Sequence, residues 1–336
     1  MDGPSLPGFD DVVLEVKDLV TVVTVAGKEV RLVDRVSFAL RRGRTTAIVG
    51  ESGSGKTMTA MSLLRLLEPP VRVASGTVSY LGQNLLALTE RQMAEVRGAR
   101  IAMVFQDPLT SLNPVLRIGF QIAETLRAHR KMTRAEAAWR AVELLRHVGV
   151  PDPEARAMDY PHHFSGGMRQ RVLIASAISC DPEVIIADEP TTALDVTVQA
   201  KILHLLDDLR QESKASLLLI THDLGVVAAM ADDVAVMYAG RVVEQADVDT
   251  LFHAPRHPYT RALLACAINL EDDRHSALEP IPGAPPDPAQ RPSGCPFHPR
   301  CPDAVPDCRR IDPPLEAVSE QQSVACIVVQ RALADA

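Results

Sequence analysis

Gly50-Glu51-Ser52-Gly53-Ser54-Gly55-Lys56-Thr57 follows a β-branched run, Thr45–Val49, and opens a helical pattern over residues 56–67. Strand, glycine-rich turn and helix start, in that order, are what a phosphate-binding loop needs. Gly50, Gly53 and Gly55 let the backbone curl until successive N–H groups point inward at phosphate oxygens, with Ser52 and Ser54 in the same cradle. The helix N-terminus adds its partial positive charge. Lys56 reaches the β- and γ-phosphates of a nucleotide, and the Thr57 hydroxyl ligates Mg²⁺.

Further along, Val184-Ile185-Ile186-Ala187-Asp188-Glu189 is an apolar strand ending in two acids. Alone, such a segment is only a strand meeting solvent. Downstream of a phosphate loop, Asp188 is placed to hold Mg²⁺ and Glu189 to act as base on the attacking water. Around these elements the chain alternates β-branched runs with helical patterns, as an α/β sheet protein does. Strands are expected at 36–40, Thr45–Val49, 101–105, 183–187, 217–220 and 234–237. Thr133 and Glu136 form a capping-box pattern, and Trp139, Val142 and Leu145 recur at helical spacing, which predicts an amphipathic helix over 133–148. Ala239-Gly240 between two apolar runs predicts a hairpin turn.

Composition bounds the remaining possibilities. The 336 residues are 46% apolar and 23% charged, a globular mix that excludes a disordered chain. A net charge of -8 argues against a general nucleic-acid binder, which relies on basic surface. No apolar run approaches bilayer length, and residues 1–11 carry acids, Gly and Pro where a secretory leader is basic and then apolar. A cytosolic chain is therefore expected, with cysteines reduced or liganded. Four of the six cysteines, Cys295, Cys301, Cys308 and Cys326, lie in a proline-rich C-terminal stretch. That shift puts a boundary near residue 250, dividing the chain into 1–250 and 251–336. The spacing C-x5-C-x6-C-x17-C is neither the paired C-x-x-C of zinc sites nor a ferredoxin run, so spacing alone names no metal. Cys180 and Cys266, in helical surroundings, read as packing residues.

Phe164-Ser165-Gly166-Gly167-Met168-Arg169-Gln170 precedes a helix running to about Ser179 and lies upstream of Asp188-Glu189. That order resembles the ATP-binding-cassette (ABC) ATPases. In the same resemblance Gln106 matches the Q-loop, Ala193-Leu194-Asp195 the D-loop, and His222 the switch histidine. It implies an α/β phosphate-loop ABC domain with a RecA-like core, an antiparallel β subdomain, and a helical subdomain over about 107–179 that contacts a transmembrane partner. It also implies MgATP as ligand, with Thr57, Gln106 and Asp188 at the Mg²⁺. Glu189, His222 and Gln106 are the implied catalytic residues: Gln106 touches the lytic water and His222 orients the γ-phosphate. Two cassettes face head to tail, so that Ser165, Gly166, Gly167 and Asp195 complete the site of the opposing chain.

Phe105-Gln106-Asp107-Pro108-Leu109-Thr110-Ser111-Leu112-Asn113-Pro114 and Asp188-Glu189-Pro190-Thr191-Thr192-Ala193-Leu194-Asp195-Val196-Thr197-Val198-Gln199-Ala200 resemble the oligopeptide/dipeptide importer branch. So does the tail, with His257-Pro258-Tyr259-Thr260-Arg261 and Gly294-Cys295-Pro296-Phe297-His298-Pro299-Arg300-Cys301. The branch implies two permease subunits, a second and related ATPase chain, an extracytoplasmic solute-binding protein acting indirectly, no nucleic acid, and a peripheral place on the cytoplasmic side of the inner membrane. It also contains importers of nickel and other small solutes. A soluble cassette acting on DNA or ribosomes is disfavoured by the single cassette and the absence of a heptad run. A cassette that binds ATP without hydrolysing it is disfavoured by Glu189 and His222. Similar tails carry a [4Fe–4S] cluster, which sets that reading of the four cysteines beside a zinc site and unliganded thiols. One departure stands out: Val23 occupies the position where the branch usually stacks an aromatic on adenine, leaving plain apolar contact.

Overall fold

A computed structural model describes residues 11–192, 194–266 and 281–334. Residues 1–10, which carry most of the argument against a leader, and Ala193 of the D-loop lie outside the described residues. The chain forms two compact units from interleaved stretches. The first takes residues 11–13, 40–44 and 87–220; the second takes 14–39, 45–86 and 221–334. Residues on both sides of position 250 fall in the second unit.

In the first unit the strands Ile101–Val104, Val184–Asp188 and Ser216–Thr221 run parallel, with Ile101 beside Val184 and Val184 beside Ser216. Every residue of Val184–Asp188 is buried. Strands covered on both faces read as continuous apolar runs, which is why this one was legible. The longer helices of the unit are Ile118–His129, Arg134–His147, Gly166–Ile178 and Val196–Ser213. Arg134–His147 starts as the capping box predicts: Glu136 N–H donates to Thr133 Oγ1 at 3.2 Å, and Thr133 N–H donates to Glu136 Oε2 at 2.7 Å. Its buried face coincides with the expected one only in part: Leu145 is buried as predicted. Ala137, Ala141, Leu144 and Leu145 are buried, whereas Trp139 is 65% exposed. The helix packs against Ile118–His129, and alanines permit the closer approach that a large ring at position 139 would prevent. Among the described residues no helix is long and apolar enough to cross a membrane.

The second unit holds an antiparallel sheet ordered Lys28–Arg41, Val12–Val25, Val71–Tyr80, Gln83–Asn84. A second sheet runs Glu316–Ala317, Gln322–Val324, Arg241–Asp247, Asp233–Tyr238, Thr45–Val49, its last pair parallel and the others antiparallel. The hairpin between Asp233–Tyr238 and Arg241–Asp247 turns through Ala239 at φ 48 and Gly240 at φ 80, the two left-handed residues of a tight hairpin turn. The C-terminal strand Gln322–Val324 pairs with Arg241–Asp247, and their junction is sealed by Glu244. That fully buried carboxylate accepts hydrogen bonds from Arg256 N–H (2.8 Å), His257 N–H (2.9 Å) and Gln322 Nε2 (2.7 Å). Burying the charge is tolerated because each oxygen is hydrogen-bonded. Ala47, Val49, Val236, Tyr238, Tyr259 and Phe297 share one core, so the tail is packed into the sheet that carries the phosphate loop.

Candidate functional site

The strand Thr45–Val49 is buried throughout and pairs with Asp233–Tyr238, which delivers the chain to Gly50 at the strand's end. Gly50, Gly53 and Gly55 take φ 152, 78 and 100. A Cβ on Gly50 would lie 2.1 Å from the Met237 carbonyl oxygen, and one on Gly55 would lie 2.8 Å from that of Leu32. Those two glycines let the loop lie against neighbouring backbone, whereas Gly53 has open space about it and is required for its left-handed φ alone. Gly55 caps the helix Lys56–Leu63, shorter than the 56–67 pattern predicts. The buried Lys56 ammonium donates to the Gly50 and Glu51 carbonyls at 2.8 and 3.1 Å, drawing the loop's two ends together. Gly240 N–H donates to the Ser54 carbonyl at 2.8 Å. The buried Ser54 hydroxyl has no hydrogen-bond partner among the described residues.

Of the other predicted residues, the second unit holds Val23 and His222. Val23 is half-buried in the strand Val12–Val25, opposite Val71. His222 is exposed, just beyond Ser216–Thr221 and just before Asp223, whose carboxylate caps the helix Leu224–Met230.

In the first unit Asp188 ends its strand and is 2% exposed. Glu189 follows at φ 44, a left-handed conformation unusual for a side chain of its kind, and its N–H continues the ladder to the Ile220 carbonyl at 2.8 Å. Its Oε2 accepts from Gln106 Nε2 and from Thr192 Oγ1, both at 2.9 Å. Gln106, the expected Q-loop residue, and the expected base Glu189, far apart in sequence, are therefore in direct contact; Thr192 is a partner that the sequence reading did not identify. Ser165 caps the helix Gly166–Ile178 by accepting from Met168 N–H, and Asp195 caps Val196–Ser213 by accepting from Val198 N–H at 3.0 Å. Ser165, Gly166 and Asp195 are exposed, and the two helix starts touch: a Cβ on Gly167 would lie 2.5 Å from Val198 Cγ1.

The tail cysteines are all unbridged and all line one cavity of about 10 Å³, together with His257, Phe297 and Asp303. Burial pushes the Cys295 thiol up to about 11 and that of Cys301 up to about 12, and burial also raises Cys326; neighbouring cysteines add to each shift. Burial lowers His257 to about 3, so its imidazole is neutral. The expected metal centre is not formed here. Among the described residues no three His, Cys, Asp or Glu side chains are arranged to hold a metal ion, and the cavity has room for no more than a water. Cys180 is buried as expected, while Cys266 is only half-buried.

The sequence pattern of the ABC transporter family matches residues 33–192, and that of the oligopeptide/dipeptide transporter C-terminal region matches residues 243–308. A probable peptide ABC transporter ATP-binding protein of Sinorhizobium fredii is 50% identical over 317 residues, 94% of this chain and 95% of that one. An oligopeptide transport ATP-binding protein of Bacillus subtilis is 49% identical over 93% of this chain and 87% of its own length. A dipeptide transport ATP-binding protein of Escherichia coli is 46% identical over 88% of this chain and 90% of its own. Among solved structures, a dimeric ATP-binding cassette in a post-hydrolysis state, bound to ADP and phosphate, superposes with a TM-score of 0.63 at 26% identity, covering 70% of this chain and 98% of that one.

Proposed function

The chain belongs to the ABC transporter family, as an ATP-hydrolysing cassette, and from that premise we propose that it drives a membrane importer of di- or oligopeptides. The relatives described above are named for peptides or for one peptide class, which favours a peptide over nickel or another small solute.

The observation that carries the importer reading is a set of exposed large apolar side chains between Gln106 and Ser165. Leu109, Val115, Phe120 and Met158 are all more than half exposed there. Large apolar side chains left in water on one segment mark a surface that a partner covers. We assign it to two permease subunits, with the cassette peripheral on the cytoplasmic face and a related cassette opposite it.

ATP supplies the phosphoryl group to be transferred to water, and Mg²⁺ offsets its charge. The glycine loop fits a polyanion: left-handed glycines, a helix start, a lysine across its mouth and a buried hydroxyl without a partner among the described residues. In this reading Gly50, Ser52, Gly53, Ser54, Gly55 and Lys56 bind the phosphates, and Thr57, Gln106 and Asp188 serve the metal. Glu189 takes the proton of the attacking water, Gln106 and His222 orient the reactants, and Val23 meets adenine by apolar contact. Ser165, Gly166, Gly167 and Asp195 act on the opposing cassette's nucleotide.

Solubilised membranes should yield both permease chains with this protein. Lys56→Ala should leave that co-purification intact while ATP binding and solute-stimulated ATPase activity are lost. A chain recovered without permeases from membranes in which they are expressed would overturn the importer assignment.

For the tail, we assign Cys295, Cys301, Cys308 and Cys326 to a [4Fe–4S] cluster. The four thiols match that cluster in kind and number and already share one cavity, but the cavity must widen to take it. A cube holds one thiolate on each iron, so its ligands stand farther apart than those of a single ion. Protein purified anaerobically should be brown and carry about four irons per chain, with iron lost on Cys308→Ser. One zinc per chain without iron, or four freely alkylated thiols, would remove the cluster.

A further inference from the structure

The second residue of the phosphate loop, Glu51, is gripped from three sides. Its N–H donates to Tyr259 Oη at 2.9 Å. Its carbonyl accepts from Lys56. Its carboxylate forms a two-pronged pair with Arg300, Nη1 to Oε2 at 2.7 Å and Nη2 to Oε1 at 3.0 Å. Tyr259 and Arg300 lie 208 and 249 positions away in sequence, beyond the segment that carries the nucleotide motifs.

Both are firmly placed. Tyr259 is fully buried, with its ring 4.6 Å from Tyr238 and 5.4 Å from Phe297. Arg300 is 8% exposed, donates through Nε to the Pro282 carbonyl at 2.8 Å and through Nη1 to Tyr238 Oη at 3.3 Å, and lies over the Tyr238 ring. A planar guanidinium held on several sides has little freedom left to lose when it takes a carboxylate.

The charge makes this arrangement informative. A phosphate loop presents N–H groups and a lysine to a polyanion, yet this one carries a carboxylate one residue from its first glycine. Unpaired, that negative charge would oppose the incoming phosphates. We propose that Arg300 is a positioning residue of the ATP site: it neutralises Glu51, turns its carboxylate away from the nucleotide and, with Tyr259, sets the start of the phosphate loop from the C-terminal segment. ATP affinity thereby depends on a folded tail. This rests on the phosphate-loop reading and goes beyond it by giving the tail a part in nucleotide binding.

The test measures MgATP affinity with a fluorescent ATP analogue, and KM and kcat, on the full chain. Arg300→Gln should weaken ATP binding about tenfold, the size of one charge-assisted hydrogen bond, with KM rising more than kcat falls. Adding Glu51→Gln to Arg300→Gln should recover most of the loss, because the repelling charge is gone. Arg300→Lys keeps the charge and loses the fork, so it should fall between. If Arg300→Gln does not fold, Arg300→Lys with and without Glu51→Gln makes the same comparison. Affinity indistinguishable from that of the unaltered chain, or a double variant as weak as the single one, would reduce Arg300 to a fastener of the tail. Lys56→Ala separates the two readings: if it abolishes ATP binding while Arg300→Gln does nothing, the loop assignment stands and the role of Arg300 falls. If it too binds ATP normally, the loop assignment is what fails.

Discussion

Glu189→Gln should bind MgATP as the unaltered chain does and hydrolyse it about 10²-fold more slowly or worse. The local structure makes this a test of basicity. The backbone of Glu189 is held in its left-handed conformation by the bond from its N–H to Ile220, at the end of a buried strand, and that bond does not depend on the side chain. The side chain is held by two donors, Gln106 Nε2 and Thr192 Oγ1, on the same oxygen. A glutamine carbonyl oxygen accepts from both with little rearrangement, so shape, position and the contact with the Q-loop survive. What is lost is the capacity to take a proton from water. Steady-state turnover beside equilibrium nucleotide binding decides the matter. Turnover within a few-fold of the unaltered chain would remove Glu189 as the base and return attention to His222. The contact with Gln106 adds a second expectation: Gln106→Ala removes one of the two donors described on that oxygen and loosens the carboxylate, and turnover should fall while affinity for ATP changes less.

The motifs assigned to ATP binding and hydrolysis were legible because each imposes its own residue types. Glycine at 50, 53 and 55 answers to backbone approach and left-handed φ, and the buried run Val184–Asp188 answers to a strand covered on both faces. The antiparallel sheet was read only in part. Of Lys28–Arg41 the pattern revealed 36–40, and Val71–Tyr80 was not identified. Alternation fails there for structural reasons: Asp18 and Arg35 have positive φ, the pairing of Val12–Val25 with Val71–Tyr80 shifts register near Val20, and Gly76 sits where a Cβ would be 2.6 Å from the Asp18 carbonyl oxygen. A bulge moves successive side chains off the two-residue period that sequence reading relies on. The face of Arg134–His147 was misjudged at Trp139 but not at Leu145, because alanine carries little hydrophobic signal and yet packs closest. The grip on Glu51 could not be read at all. Tyr259 and Arg300 are ordinary residues of a tail motif until the fold brings them to the phosphate loop, and local pattern carries no information about so distant a pairing.

Head-to-tail pairing of cassettes has its sharpest test at Gly166. Either glycine of Ser165-Gly166-Gly167 invites an aspartate, to set a negative charge against the partner's γ-phosphate, but the two positions are not equivalent. A Cβ at Gly167 collides with Val198 Cγ1 at 2.5 Å, so Gly167→Asp disturbs this chain's own helix packing and its failure would be ambiguous. Gly166 is exposed, has no left-handed φ, and would bring its Cβ only to ordinary contact with Leu194 Cδ2 at 3.4 Å. An aspartate in the first turn of the helix Gly166–Ile178 is also favourable to the helix that carries it, since the carboxylate meets the positive end of the dipole. Gly166→Asp should therefore fold normally and bind ATP at its own phosphate loop, while ATP-dependent pairing is lost and hydrolysis falls about 10²-fold or more through repulsion in a water-excluded site. The cleanest reading uses the Glu189→Gln background, in which nucleotide persists and paired cassettes accumulate: size-exclusion chromatography with ATP should give pairs for Glu189→Gln and single cassettes once Gly166→Asp is added. Pairs that form equally well with the aspartate in place would mean that the Ser165 helix does not face the opposing nucleotide, and the head-to-tail arrangement would have to be abandoned for this chain.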